Sequence, residues 1–107
     1  MKTRRTRDAV QVTHEPISDA QLDAIEARAC AAISGPWEAY VEGRDALGAD
    51  SFIRTGGFDD DAPDMYVSLH VGVESIRVPD ETWDFIAEAR QDVPRLVAEI
   101  RRLRAGS

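Results

Sequence analysis

Four aspartates, Asp59, Asp60, Asp61 and Asp64, crowd into six consecutive residues. Such a cluster offers oxygens to a hard cation, but an EF-hand calcium loop needs glycine at its sixth position and glutamate at its twelfth. Counted from Asp59, those places hold Asp64 and His70. The spacing fails, and the cluster reads as a solvated loop or as a patch for a cationic partner. Cys30 with His14 or His70 would be the material for a nucleophile and its base. Cys30, however, stands between Ala29 and Ala31 on a predicted helix, near its apolar stripe, where thiols are usually inert. His70 falls on the outward side of a predicted strand, and nothing places either histidine beside the thiol. Gly56-Gly57 lacks the lysine and the following helix of a phosphate loop. Glu38 and Glu42 form a carboxylate pair of the kind used in acid–base chemistry, yet acids on the outer side of a strand are an ordinary solvated pattern. No catalytic motif emerges, and neither a metal nor a cofactor is implied.

The charge distribution says more. The chain has 107 residues, 13 basic against 20 acidic, for a net charge of −7. Residues 1–7 carry Lys2, Arg4, Arg5 and Arg7 and no acid, so residues 8–107 hold a net −11. Residues 37–81 contain eleven acids opposed only by Arg44, Arg54 and Arg77, a net of −8. An acidic body argues against nucleic-acid binding, which needs cations to replace the counterions of phosphate, except through the basic N-terminal arm. It suits either a solubilising surface or one complementary to a basic partner. The single cysteine excludes an internal disulfide and fits a reducing compartment, and no apolar run has the length of a membrane span or the form of a signal peptide. The expected location is cytoplasmic, without a membrane partner.

The elements that must position these residues are legible in the periodicity. Residues 1–16 are expected to form a basic, partly flexible arm with a short extended piece at Ala9–Thr13, ahead of one domain over residues 17–107. Ser18 and Gln21 make a capping box, flanked by Ile17 and Leu22 at the staple positions. Leu22, Ile25, Ala29, Ala32 and Ile33 then share a helical face, predicting a helix over 19–33 that Gly35, in the left-handed conformation, and Pro36 would end. Trp37–Glu42 and Ser51–Thr55 alternate as strands, Met65–Val71 alternates most clearly, and Glu74–Val78 is a shorter candidate. Beyond Pro79, the apolar spacing predicts two helices divided near Gln91–Asp92 by Pro94, with one continuous helix kinked at Pro94 as the alternative. The Arg101–Arg104 end reads as a solvated final turn, or as a surface for helix pairing or an anion. The expected fold is α+β: a small antiparallel sheet of three to four strands, with an N-terminal helix and two C-terminal helices packed on one face.

Two segments carry a family resemblance. The helix-ending Ile33-Ser34-Gly35-Pro36-Trp37 and the long stretch Phe85–Arg104 resemble the two helical ends of a family of small actinobacterial and phage-linked proteins. In that family a variable block of strands joins the two ends. The resemblance covers about half of the chain, with Ile-Ser here in place of the usual lead into Gly-Pro-Trp, and it is silent over Arg44–Met65. It implies an architecture and no active-site residues.

These observations point to a non-enzymatic, protein-binding module: an immunity-type or inhibitor-like protein that blocks a basic partner such as a toxin or nuclease. Acids would steer the encounter and exposed aromatics would anchor it. The expected contact residues are Glu38, Tyr40, Glu42, Asp59, Asp60, Asp61, Asp64 and Tyr66, with Phe58 as a further exposed aromatic. The alternatives are a phage- or mobile-element-linked accessory protein that self-associates through its C-terminal helix, as a homodimer for example, and an acidic mimic of DNA.

Overall fold

The computed structural model of the chain describes residues 15–106 except Ala46, Ala49 and Phe58. The expected strand at Ala9–Thr13, the basic arm through His14, and Phe58 lie outside the described residues. Helix α1 spans Asp19–Ala31. It starts where the sequence requires: the Gln21 N–H donates to Ser18 Oγ at 3.1 Å, and the Ser18 N–H donates to Gln21 Oε1 at 2.7 Å. It ends earlier than residue 33, because Ala32 is extended at φ −72° and ψ 162°. Gly35 is not left-handed. The Gly35–Pro36 peptide is cis, and the glycine allows close approach of α2: a Cβ there would stand 3.1 Å from Arg90 Cγ and 3.3 Å from Gln91 Oε1, so these side chains would have to give way slightly.

Strands β1 (Glu38–Tyr40), β2 (Phe52–Arg54) and β3 (Asp64–Met65) form an antiparallel sheet in that order. The pairs are Glu38 with Arg54, Ala39 with Ile53 and Tyr40 with Phe52, then Ile53 with Met65 and Arg54 with Asp64. The stretch Met65–Val71 is not one strand. It divides into β3 and β4 (Leu69–Val71), and β4 turns back at Gly72 (φ +61°) to pair with β5 (Glu74–Ile76) as a separate hairpin. A glycine in that conformation at the first place of a two-residue turn suits the twist of a hairpin. Alternation survives the division, since Met65, Val67 and Leu69 all pack toward the core.

One helix, α2, runs unbroken from Asp80 to Ala105, where two were expected. At 1.5 Å per residue its 26 residues span about 39 Å. Pro94 cannot donate to the Arg90 carbonyl, a defect that costs about 3 kcal/mol within a helix. Packing on both sides of the proline holds the axis nonetheless. The N-terminal half lies on the sheet through Trp83 and Ala87, which join Val41, Ile53 and Val78 in the buried core. The C-terminal half lies on α1, where Leu22 and Val97 are the buried positions. Helix α1 therefore packs on α2 and not on the sheet, another departure from the expected layering. The two helices run antiparallel: Arg101 pairs with Asp23 at 2.6 Å and Glu26 at 2.9 Å, and Arg104 with Asp19 at 3.1 Å. Arg101 and Arg104 thus tie the two helices together, while residues 102–105 stay exposed as the final turn. Among the described residues, no helix is long and apolar enough to cross a membrane.

The two segments that carried the family resemblance meet in space. The Trp37 N–H donates to Gln91 Oε1 at 2.7 Å, and Gln91 Nε2 donates to the carbonyls of Trp37 (3.2 Å) and Ala87 (3.1 Å). Arg90 Nε donates to the Ile33 carbonyl at 2.9 Å. The indole N–H of Trp37 reaches the Ile33 and Ser34 carbonyls at 3.1 and 3.2 Å. On the other side, the Gly56 N–H donates to the Ser34 carbonyl at 2.8 Å, which ties the end of β2 to the same segment.

Gln91→Leu leaves the half-buried peptide of Trp37 without a partner and is expected to cost about 1–3 kcal/mol in urea denaturation. Pro94→Ala restores the donor for Arg90 and removes the ring clash, and is expected to raise the unfolding midpoint.

Candidate functional site

Residues of a strand alternate between the two faces of a sheet. The odd-numbered positions Ala39, Val41, Ile53 and Met65 turn toward α2, and Val41 and Ile53 are completely buried. The even-numbered positions stand on the other face, which α2 leaves uncovered. There the register sets three aromatic rings in a row across the strands. Tyr40 and Phe52 stack with centroids 5.2 Å apart and planes within 12°, and Phe52 meets Tyr66 at 6.0 Å and 34°. Tyr40 and Phe52 are half-buried, while Tyr66 is 64% exposed at the end of the row. Beside it runs a second row, Glu38, Arg54 and Asp64, joined by the same register. Arg54 is committed: Nη2 reaches Asp60 Oδ1 at 3.0 Å and Nε donates to the Gly57 carbonyl at 3.3 Å. At the opposite flank, Glu42, Asp50, Tyr66, Ser68 and Arg77 border a shallow hollow of about 400 Å³.

The acidic loop does several different things and forms no cation cage. Asp59 Oδ1 accepts the Asp61 N–H at 3.0 Å, and the Asp59 carbonyl accepts the Ala62 N–H at 3.1 Å, so Asp59 shapes the turn. Its loop folds against Gly56 (φ +74°), where a Cβ would collide with that of Ala62. Asp60 answers Arg54, Asp64 belongs to β3, and Asp61 remains exposed. Among the described residues, no three His, Cys, Asp or Glu side chains are grouped to hold a metal ion.

Of the eight expected contact residues, the structure brings Glu38, Tyr40, Asp64 and Tyr66 onto one face, with Asp60 joined through Arg54 and Glu42 at the margin. Glu42 also supports its own loop, Oε2 accepting the Gly48 N–H at 3.1 Å. Asp59 and Asp61 belong to the turn rather than to the aromatic face. Sequence reasoning missed Phe52, the middle ring, and Arg54 beside it. The parity of β2 was available as a signal, but only the register with β1 and β3 places Phe52 between two tyrosines. Cys30 is exposed on α1 and not held near a buried stripe. His70 is exposed on β4, its Nε2 3.3 Å from Ser68 Oγ.

Shifted ionisations trace to ion pairs. Arg44 holds Asp84 with two hydrogen bonds, of 2.8 and 2.9 Å, and Asp45 with two more, of 3.0 and 2.8 Å. Asp45 Oδ2 also accepts the Val41 N–H at 2.9 Å. This cluster fastens the β1–β2 loop to the first turns of α2. Hydrogen bonds from Arg44 lower the pKa of both aspartates, helped at Asp45 by the Val41 N–H, and the same bonds raise that of Arg44. At the far end of α2, the Arg102 guanidinium lowers Glu99 in the same way.

A carboxylate whose pKa is depressed by folding stabilises the fold above its unfolded pKa, and that contribution fades as pH falls through the lower folded value. For Asp45 and Asp84 the loss begins near the ordinary aspartate value of about 3.9 and continues below it. The melting temperature is expected to fall as acid is added through this window, and to fall less steeply in Arg44→Met. Thermal melts of both proteins from neutral pH downward measure the difference.

Family models, curated proteins and solved structures offer no match to this chain, so only the chemistry of its own side chains bears on what the aromatic face does.

Proposed function

We propose that the chain is a non-enzymatic binding module, immunity-type or inhibitor-like, whose open sheet face receives a basic protein such as a toxin or nuclease. The observation that carries this reading is the Tyr40–Phe52–Tyr66 row, standing on the uncovered face with carboxylates on both flanks. Tyrosine gives large contact area with little loss of conformational freedom, and aromatic faces attract guanidinium and ammonium groups by about 0.5–2 kcal/mol. Glu38, Glu42, Asp50 and Asp64 around the row speed the approach of a cationic surface and select against acidic ones. Rows of rings on a sheet also stack nucleic-acid bases, but those surfaces are positively charged to hold the backbone. Among the described residues of the face, Arg54 already answers Asp60. The chemistry therefore favours a protein rich in arginine or lysine over a nucleic acid.

The test is affinity capture of the partner from the host, followed by titration calorimetry with purified components. Tyr66→Ala, which alters an exposed ring, is expected to weaken binding by about tenfold or more. Replacing Glu38 and Asp64 together by lysine is expected to slow association and flatten its salt dependence, whereas Asp61→Lys has a small effect. A partner held equally well by wild type, Tyr66→Ala and the double charge reversal would remove the reading.

A further inference from the structure

The helical side of the molecule presents a second open surface, of different character. A groove of about 510 Å³ runs between α1 and the first half of α2. Ile25, Ala29, Trp37, Ile86, Ala89 and Val93 line it, and Phe85 forms its lip. Phe85 is 75% exposed, although it sits beside an apolar hollow wide enough to take a ring. A protruding phenylalanine next to a vacant apolar groove is a knob and a hole on one patch. That is what a two-fold interface demands, because the axis brings the same patch of each copy against the other.

Charge separates the candidate occupants. The sheet face is dominated by one sign, so a copy of the chain would be repelled there. The groove is bordered by both signs: Arg28 and Arg90 line it, while Glu81 and Glu88 lie one turn to either side of Phe85 on α2. A wholly basic or wholly acidic partner would meet repulsion from one of these pairs. A second copy, turned through a two-fold axis, sets the glutamates of one protomer toward the arginines of the other.

We propose that this groove seats a second copy of the chain, in a dimer in which each Phe85 enters the other protomer's groove. Because α2 covers the opposite face of the sheet, both Tyr40–Phe52–Tyr66 rows stay open in such a dimer. The assembly presents two binding faces at once, and a partner with repeated basic sites gains avidity from it.

Sedimentation velocity of the full chain over a wide concentration series tests the proposal. Wild type is expected to shift from monomer to dimer as concentration rises. Phe85→Glu is expected to weaken the dimer by roughly 100-fold or more, with an unchanged circular dichroism spectrum and melting temperature. Ala89→Arg, which fills the groove from its own floor, is expected to act likewise, while Phe85→Leu and Tyr66→Ala still dimerise. A wild type that stays monomeric throughout, or a dimer indifferent to both Phe85→Glu and Ala89→Arg, overturns the proposal. So does a monomer that binds an apolar dye which Ala89→Arg displaces, and that result gives the groove to another ligand.

Discussion

The amide of Gln91 grips the peptide of Trp37 by both ends, accepting from its N–H and donating to its carbonyl. This is the pairing a neighbouring β-strand would make, performed by one side chain of a helix. It satisfies both backbone groups of the residue that leads into the edge strand β1. It also fixes how far the strand stands from α2, in a space where a side chain at position 35 would press on Arg90 and Gln91. Helix α1, β1, the end of β2 and α2 all converge on this segment, through Arg90 and Ile33, Gly56 and Ser34, and Trp37 itself. Contacts separated by more than fifty residues thus meet on a five-residue stretch, which makes the geometry of the sheet face a consequence of the helix beneath it.

That consequence is specific. With β1 held against α2, parity sends Ala39 and Val41 inward and Glu38 and Tyr40 outward, and register carries the same division to β2 and β3. A slip by one residue would exchange the two sets, placing carboxylates against Trp83 and the apolar residues in water. The core opposes such a slip, since Val41, Ile53, Trp83 and Ala87 are almost wholly removed from solvent. Thr55, the one buried polar residue among those described, is satisfied as well, because its hydroxyl donates to the Pro63 carbonyl. The aromatic row is therefore positioned by the packing of the opposite face and needs no loop to hold it.

What could be read from the sequence was what depends on near neighbours. The capping box at Ser18, the alternation of β1 and β2, and the outward placement of Glu38, Tyr40 and Tyr66 follow from spacing alone. The errors share one cause, which is that a distant partner overrode a local rule. Pro94 marks a break by its own chemistry, but the sheet and α1 grip α2 on either side of it. Alternation made Met65–Val71 a single strand because the pattern of side chains does not record which backbone each residue pairs with. Phe52 gains meaning only from two strands beyond its own, and Asp59 and Asp60 look like free charge until their bonds to Asp61 and Arg54 are seen. The arginines at 101 and 104 find their acids on α1, about eighty residues away.

The disposition of arginine explains how a strongly acidic chain keeps two unlike surfaces. Arg44, Arg54, Arg77, Arg101, Arg102 and Arg104 each stand in an ion pair with a defined carboxylate. Exposed pairs of this kind add little stability individually, so their effect is positional. On the helical side, they balance the acids of α1 and of the last turns of α2. On the sheet side, Arg54 balances Asp60 and Arg77 pairs with Asp80, which leaves Glu38, Asp64 and the more distant Asp50 as an acidic excess around three rings. The same composition that gives a large mid-chain negative charge is thereby sorted by the fold: balance where two helices meet, and an excess where the sheet is open. Excess charge on one face repels any surface of like sign, while a balanced border around an apolar groove does not, so the two faces differ in the chemistry they offer.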